Sequence, residues 1–323
     1  MKPIATLICT LSLFAASITP ASAWWGTGHM VVTSVAWRQL SQQEQEQAHA
    51  LLKAHPKYND WMSSYPADVP GLSKGLYAAM AASLWADDIR DKNNPATHPE
   101  WHYVDYPLVP PHFPKEPAPN PTNDVLVGIK ECERVIASPT TSTQEKGEMV
   151  SWLIHLVGDV HQPLHCASLT NDDFPAPEGD RGGNSAFVRP DKQSKAINLH
   201  MVWDSQLGGA RVADAGSSRE ALNKAILLET EHPRVAAAEL QKSPSPESWS
   251  LEGRELAIQE AYLHGNLRYA VGKQLNAPVL PEGYTKKARA ISERRVTLAG
   301  YRLADMLKRL LAVSTAEPER ASN

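Results

Sequence analysis

One spacing occurs twice in this chain and constrains its fold more than any other feature. His155 and Asp159 are four apart in HLVGDVHQPLH, and His200 and Asp204 are four apart in LHMVWD. Residues four apart share one helical face, a turn apart. Each pair therefore needs a helix that aims an imidazole and a carboxylate the same way. Around the first pair Val150, Leu153, Ile154 and Val157 follow the i, i+3, i+4, i+7 rule. Ser142 and Glu145 have capping-box spacing. The pattern predicts a helix from there to about His161, stopped by Pro163. Beyond that stop His165 can turn back toward the same region. Two such pairs, with a third histidine after one of them, form a metal-ligand pattern, and sites with several histidines favour zinc over magnesium or calcium.

The rest of the chain is mainly α by the same reading. Ser41 and Glu44 have capping-box spacing before a stretch ending near Lys53. Residues 76–91 are rich in Ala, Leu and Met, without proline. Asn123 is placed to cap a helix reaching about Ile136, and helical patterns run near 248–274 and 284–313. Strand signals are few. Residues 107–121 hold seven prolines and cannot be helical. Residues 168–197 are rich in Gly, Pro, Asn and Asp. Loops that long in a compact domain are usually functional, and both flank the His/Asp motifs. The expected architecture is a single globular multi-helix domain with long irregular loops and little β.

Residues 1–23 read as a secretory leader. Lys2 is its one charge, an apolar run spans Ile4 to Ile18, and Ala21-Ser22-Ala23 is a small-x-small cleavage signature. It is too short and wrongly flanked for a membrane anchor. Cleavage after Ala23 would make Trp24 the first residue of a secreted chain, periplasmic or extracellular. It would leave a domain over 24–315 and a flexible tail over 316–323. Two cysteines then remain, Cys132 and Cys166. An oxidising compartment permits one disulfide between them, but spacing alone does not bring them within bonding distance. The formal charge of −4 becomes about −5 without Lys2. That balance argues against a protein coating nucleic acid electrostatically, unless several divalent cations make one cleft positive.

A new α-amine at Trp24 would share a metal ion with the Trp24 carbonyl and His29, five residues on. Asp87 in LWADDIR and His102 in EWHYVDYP bring the candidate ligands to nine residues in five compact motifs. A lone histidine is usually an ordinary core or surface residue; a constellation of this kind is harder to explain that way. His161 fits no ligand pair and reads as structural or supporting. His49, His55, His98, His112, His232 and His264 lack partners at ligand spacing. Trp85, Trp152 and Trp203 adjoin ligands and suit an apolar shell that orients them.

The order W-x-x-x-x-H, WAD, H-x-x-D, H-x-x-x-D-x-x-x-x-x-H, H-x-x-x-D, with GDVHQPLH around the fourth motif, closely resembles the zinc-dependent single-strand-specific nuclease family. This is the nuclease S-one, nuclease P-one and mung bean type. The resemblance runs from Trp24 to Asp204 and more loosely into the C-terminal helices. It implies the mainly helical fold that the family shares with bacterial phospholipase C, and three zinc ions at the bottom of a cleft. It also implies hydrolysis of single-stranded DNA and RNA to 5′-mononucleotides, and a 3′-nucleotidase activity. Asp87, His102, His155 and Asp159 would hold one ion. Asp159 would bridge to a second, held by Trp24 and His29, and His165, His200 and Asp204 would hold the third. Arg90 matches a cation near the scissile phosphate, Tyr103 an aromatic that stacks on a base, Asp105 a carboxylate that hydrogen-bonds it, and Asn184 a loop residue near the site. A water between two ions would lose its proton near neutral pH and attack phosphorus. Asp87 would orient it, while Arg90 would stabilise the developing charge.

Two departures stand out. Trp25 occupies a position where a small or polar residue is expected, and the cysteines are sparser than in fungal and plant members. A bacterial-type zinc-dependent phospholipase C is the nearest alternative; the short gap from Trp24 to His29, with Tyr103 and Asp105, favours the nuclease. A non-catalytic secreted zinc-binding protein is a further alternative, against which Arg90 argues. Nothing implies a membrane or a stable protein partner, and a monomer is expected.

Overall fold

The computed structural model describes residues 24–90, 94–110, 123–272 and 276–314. The leader, residues 111–121 of the proline-rich stretch and the tail lie outside the described residues. Eleven α-helices are present among those described: α1 (Gly26–Gln39), α2 (Gln42–Lys53), α3 (Tyr58–Met62), α4 (Lys74–Asp88), α5 (Val125–Ala137), α6 (Thr143–Asp159), α7 (Leu199–Asp204), α8 (Ala215–Glu231), α9 (Glu239–Lys242), α10 (Pro246–Leu256) and α11 (Tyr284–Ser314). Five short strands complete the fold among the described residues. β1 (Pro107–Leu108) pairs in parallel with β2 (Ser168–Leu169), and β3 (Ala186–Val188) lies antiparallel between β4 (Ile197–Asn198) and β5 (Ala270–Val271). The expected mainly α architecture is therefore observed. No helix among the described residues is long and apolar enough to cross a membrane.

Local chemistry accounts for the helices that carry the site. Ser142 accepts the Glu145 amide and opens α6. The helix ends at Asp159, two residues before the expected His161, and the chain tightens into a short 3₁₀ turn over Pro163–His165. Asn198 accepts the Met201 amide and opens α7. Such caps contribute about 1 kcal/mol each. Two expectations are corrected. Asp124, not Asn123, caps α5, because Asn123 is taken by the Trp101 indole N–H at 2.7 Å. The helix expected over 248–274 stops at Leu256 and passes through a π turn over Ala257–Ala261.

Two apolar cores meet at the functional residues. The larger joins α1, α2, α4, α5, α6, α8 and α11; the smaller lies under β2–β4, α7 and residues 257–267. The segment after α6 straddles both: Val160 and Cys166 pack into the larger core, Leu164 and Ala167 into the smaller. The end of α7 and the turn after it do the same in reverse, with Trp203 in the smaller core and Leu207 in the larger. Both ligand-bearing turns thus lie at the seam. Cys132 and Cys166 are both buried free thiols, so the possible disulfide is not formed. Burial raises both thiol pKa values, which suits inert packing groups.

Candidate metal centre

Helices from distant parts of the chain deliver eight imidazoles and carboxylates to that seam. His29 comes from α1, Asp87 from the end of α4, His102 from the 3₁₀ turn Pro99–His102, His155 and Asp159 from α6, His165 from the turn after it, and His200 and Asp204 from α7. All but Asp87 are buried; the Asp87 side chain keeps 18% exposure. They fall into three groups able to hold an ion: His29, Asp87 and His155; His102, His155 and Asp159; and His165, His200 and Asp204.

Asp159 joins the first two groups. Its Oδ1 lies 3.3 Å from His29 Nε2, while Oδ2 lies 3.0 Å from His102 Nδ1 and 3.2 Å from His155 Nε2. Asp87 Oδ1 closes the same groups more loosely, 3.8 Å from His155 and 3.9 Å from His102. In the third group His200 Nε2 lies 3.3 Å from Asp204 Oδ2 and 3.1 Å from His165 Nε2.

Backbone carbonyls set the tautomers. His155 Nδ1 donates to Ser83 O at 2.7 Å, His165 Nδ1 to His102 O at 2.5 Å and His200 Nδ1 to Gly182 O at 2.6 Å. His165 and His200, both neutral, therefore turn a bare Nε2 lone pair inward, the arrangement of metal-bound histidines, while His155 turns its Nε2 toward Asp159. In the third group two such lone pairs face each other across 3.1 Å. They repel unless a cation sits between them. Two nitrogens about 2.0–2.1 Å from one tetrahedral zinc are about 3.3 Å apart, close to the observed spacing. Further buried atoms lack a hydrogen-bond partner among the described residues: both His29 ring nitrogens, Asp87 Oδ1, His102 Nε2 and Asp159 Oδ1. Orphaned buried polar atoms are costly, and in this donor set divalent ions would satisfy them.

The electrostatics point the same way. Burial, reinforced by neighbouring imidazoles, holds His29, His102 and His165 well below the ordinary histidine range, and burial lowers His200 to about 4. These rings are neutral at pH 7, as ligands must be. Burial raises Asp204 well above the carboxylate range, with Asp87 and Asp159 adding to it. At His155 burial pulls the ring down, but Asp159 and Asp87 outweigh it and raise it to about 9. A cation at the centre would relieve the crowded carboxylates.

Several supporting residues carry no ligand signal in the sequence. Gln162 accepts the Leu164 amide through its oxygen, so its amide nitrogen donates to Asp204 Oδ1 at 2.7 Å. It stands inside GDVHQPLH, and a fully buried amide beside a helix-stopping proline was the available clue. Gly158 lets the His29 ring cross α6, and its carbonyl takes the Trp24 indole N–H at 3.1 Å. His161 is structural: its ring bonds Val157 O and Arg302, and its carbonyl takes Arg295. Among the aromatic neighbours, Trp152 meets His102 edge-on at 5.4 Å, while Trp203 is bonded to Tyr284.

The outer residues divide. Arg90 lies against the centre, 3.7 Å from Asp87. Tyr103 and Asp105 follow His102 and are half-buried, and burial, with Asp180 adding, raises Asp105 to about 7. Asn184 bonds Arg181 O and Asn198, in the loop that supports His200, and neither partner belongs to the three groups.

Fold and site together define a mainly helical protein built around a buried His/Asp centre with room for several ions. The S1/P1 nuclease family model matches residues 24–312, and the chain belongs to that family. Endonuclease 4 of Arabidopsis thaliana is 27% identical over 183 residues, 54% of each chain. Nuclease S1 of Aspergillus oryzae is 25% identical over 183 residues, 54% of this chain and 57% of that one. Nuclease P1 of Penicillium citrinum is 23% identical over 304 residues, 89% and 97% of the two chains. The chain thus spans about half the length of the first two relatives and nearly all of the third.

Proposed function

We propose that this protein hydrolyses single-stranded DNA and RNA to 5′-mononucleotides, and removes the phosphate of 3′-nucleotides, as a monomer with three zinc ions. The observation that carries the reading is Asp159, a fully buried carboxylate whose two oxygens face different imidazoles. A carboxylate shared in this way would serve two divalent ions held by the neighbouring imidazoles, and such ions would stabilise charge on the attacking and leaving oxygens of a phosphoryl displacement. Zinc bound there supplies Lewis acidity and brings a water molecule's pKa into the neutral range.

The protein's own groups would do the rest. Asp87, the most accessible carboxylate of the centre, would orient the attacking water and receive its proton. Arg90 would balance charge growing on the phosphoryl oxygens. Tyr103 would stack an unpaired base, worth ~1–3 kcal/mol, with Asp105 hydrogen-bonding its edge and Asn184 bordering the same cleft. A base inside a duplex must first be unstacked, which is the physical source of single-strand preference. Trp24 and His29 both meet Gly158. That nearness supports a Trp24 amine that would complete the His29 group once residues 1–23 are removed and the chain exported, in one nuclease unit reaching to about residue 315.

Elemental analysis, with product analysis on single-stranded DNA, single-stranded RNA, a 3′-mononucleotide and phosphatidylcholine, tests the proposal. Three zinc ions per chain and 5′-phosphorylated products are expected. Zinc-loaded protein that cleaves only the lipid, or nothing, would overturn it. A variant keeping one residue ahead of Trp24 is expected to hold one zinc fewer.

A further inference from the structure

The turn over residues 179–183 has a backbone that its hydrogen bonds do not fully explain. Gly179, Arg181, Gly182 and Gly183 have φ of 58°, 56°, 61° and 82°. The left-handed region suits glycine but is costly for a residue with a Cβ, so Arg181 is held there by its surroundings. Asp180, fully buried, accepts the Tyr262 hydroxyl at 2.8 and 3.0 Å and the Leu169 amide at 2.8 Å. The Arg181 amide donates to Ser168 Oγ at 3.1 Å, and its carbonyl accepts from Asn184. The glycines have a visible purpose: a Cβ on Gly182 would collide with Leu164 O at 2.4 Å, and the Gly182 carbonyl holds His200. The arginine has none in the fold, because its residue is exposed and its side chain makes no hydrogen bond among the described residues.

Its place in the cleft supplies a purpose. Arg181 is one residue from the carbonyl that orients His200, so its Cα is about 3.8 Å from that of Gly182 at the edge of the third ion group. Val104 N bonds His165 O at 2.7 Å, Ser168 N bonds Tyr106 O at 3.0 Å, and Asp180 N bonds Leu169 O at 2.8 Å. Segments 103–106, 165–169 and 179–181 therefore lie side by side. Tyr103 and Asp105 both feel the Arg181 charge, and Tyr103 feels that of Arg90 as well. Backbone pairing thus sets the Arg181 turn beside the segment that carries Tyr103 and Asp105, while Arg90 lies at the ion centre next to Asp87. A single strand offers the matching sequence of charge and surface: phosphate, base, phosphate.

We propose that Arg181 binds the phosphate next to the scissile one and so favours polynucleotide over 3′-mononucleotide. This rests on the nuclease reading above. A 3′-mononucleotide carries one phosphate and has nothing for Arg181 to hold. Alanine keeps the Cβ and therefore the same backbone demand, so Arg181→Ala should leave the turn, and His200 behind it, in place.

The test compares zinc-loaded wild type, Arg181→Ala and Arg181→Lys on a short single-stranded DNA and on a 3′-mononucleotide at several salt concentrations. Arg181→Ala is expected to raise KM for the oligonucleotide about tenfold, as for a lost charge-assisted contact, with kcat and zinc content unchanged. Its log KM against log salt should flatten by about 0.7, one phosphate contact on a single strand. Arg181→Lys should recover the salt slope and part of the affinity, and mononucleotide turnover should not change in either variant. Equal losses on both substrates, lost zinc or an unchanged salt slope would overturn the proposal. Wild type that cleaves neither substrate would sink the nuclease reading separately; anisotropy binding of uncleaved oligonucleotide by wild type and Arg181→Ala would then still decide the role of Arg181.

Discussion

Replacing Gly158 by alanine perturbs the whole centre through one methyl group. Gly158 precedes the shared Asp159 on α6, and an added Cβ would lie 2.7 Å from His29 Nδ1 and 3.0 Å from its Cε1. Ordinary contact begins near 3.4 Å, so the ring must retreat by about 0.7 Å. It is also stacked on His155 at 4.0 Å and 13°, which limits where it can go. Zinc–nitrogen bonds of about 2.0–2.1 Å tolerate errors of about 0.2 Å, so His29 would no longer serve as the ligand proposed above. Overpacking costs about 1–3 kcal/mol, partly offset by about 1 kcal/mol of improved helix propensity, so the fold should survive. Elemental analysis should find one zinc fewer per chain, circular dichroism should be unchanged, and hydrolysis should fall about 100-fold. Gly216→Ala on α8 is the control, since its Cβ meets only Asp214 Oδ1 at 3.4 Å. A Gly158→Ala protein with full zinc and full activity would refute the placement of His29.

Two more predictions follow from particular contacts. Asp159→Ala should release two ions together, leaving about one zinc per chain, because one carboxylate serves two groups; retention of all three would contradict the sharing. Glu252 accepts from the buried Arg295 and Arg302. Burial alone would raise its pKa, but the two arginines outweigh it and hold it at about 2, against an ordinary 4.5. A depressed carboxylate stabilises the fold above its unfolded pKa and loses that contribution as pH falls from about 4.5 to about 2. Taken in full the shift would be worth about 3 kcal/mol, and with the side chain 20% exposed, solvent screening brings it to about 2 kcal/mol. Urea unfolding should find Glu252→Gln less stable than wild type by about that much at pH 7, with the gap closing toward pH 2; a gap independent of pH would refute the pairing.

Some elements were easy to read and others were hidden for identifiable reasons. The helix carrying His155 and Asp159 announced itself through its cap and apolar period. The first helix did not: eleven of its fourteen residues are buried, so it has no polar face to set a period. The break after Leu256 has a tertiary cause. Tyr262 is drawn to Asp180 across the smaller core, and Leu263 and His264 take left-handed φ of 49° and 56° beside it. Adjacent Asn123 and Asp124 both suit a cap, and only the Trp101 indole decided between them.

What the chain determined by itself was the donor inventory. Side chains four apart on a helix must share a face, so each His–Asp pair was set before any packing. Distance between segments was a different matter. Which imidazole meets which carboxylate, which carbonyl sets each tautomer, that Asp159 is shared, and that an arginine stands in a glycine's conformation at the rim all depend on two cores meeting at one seam. Those contacts join residues far apart in sequence, and no local spacing encodes them.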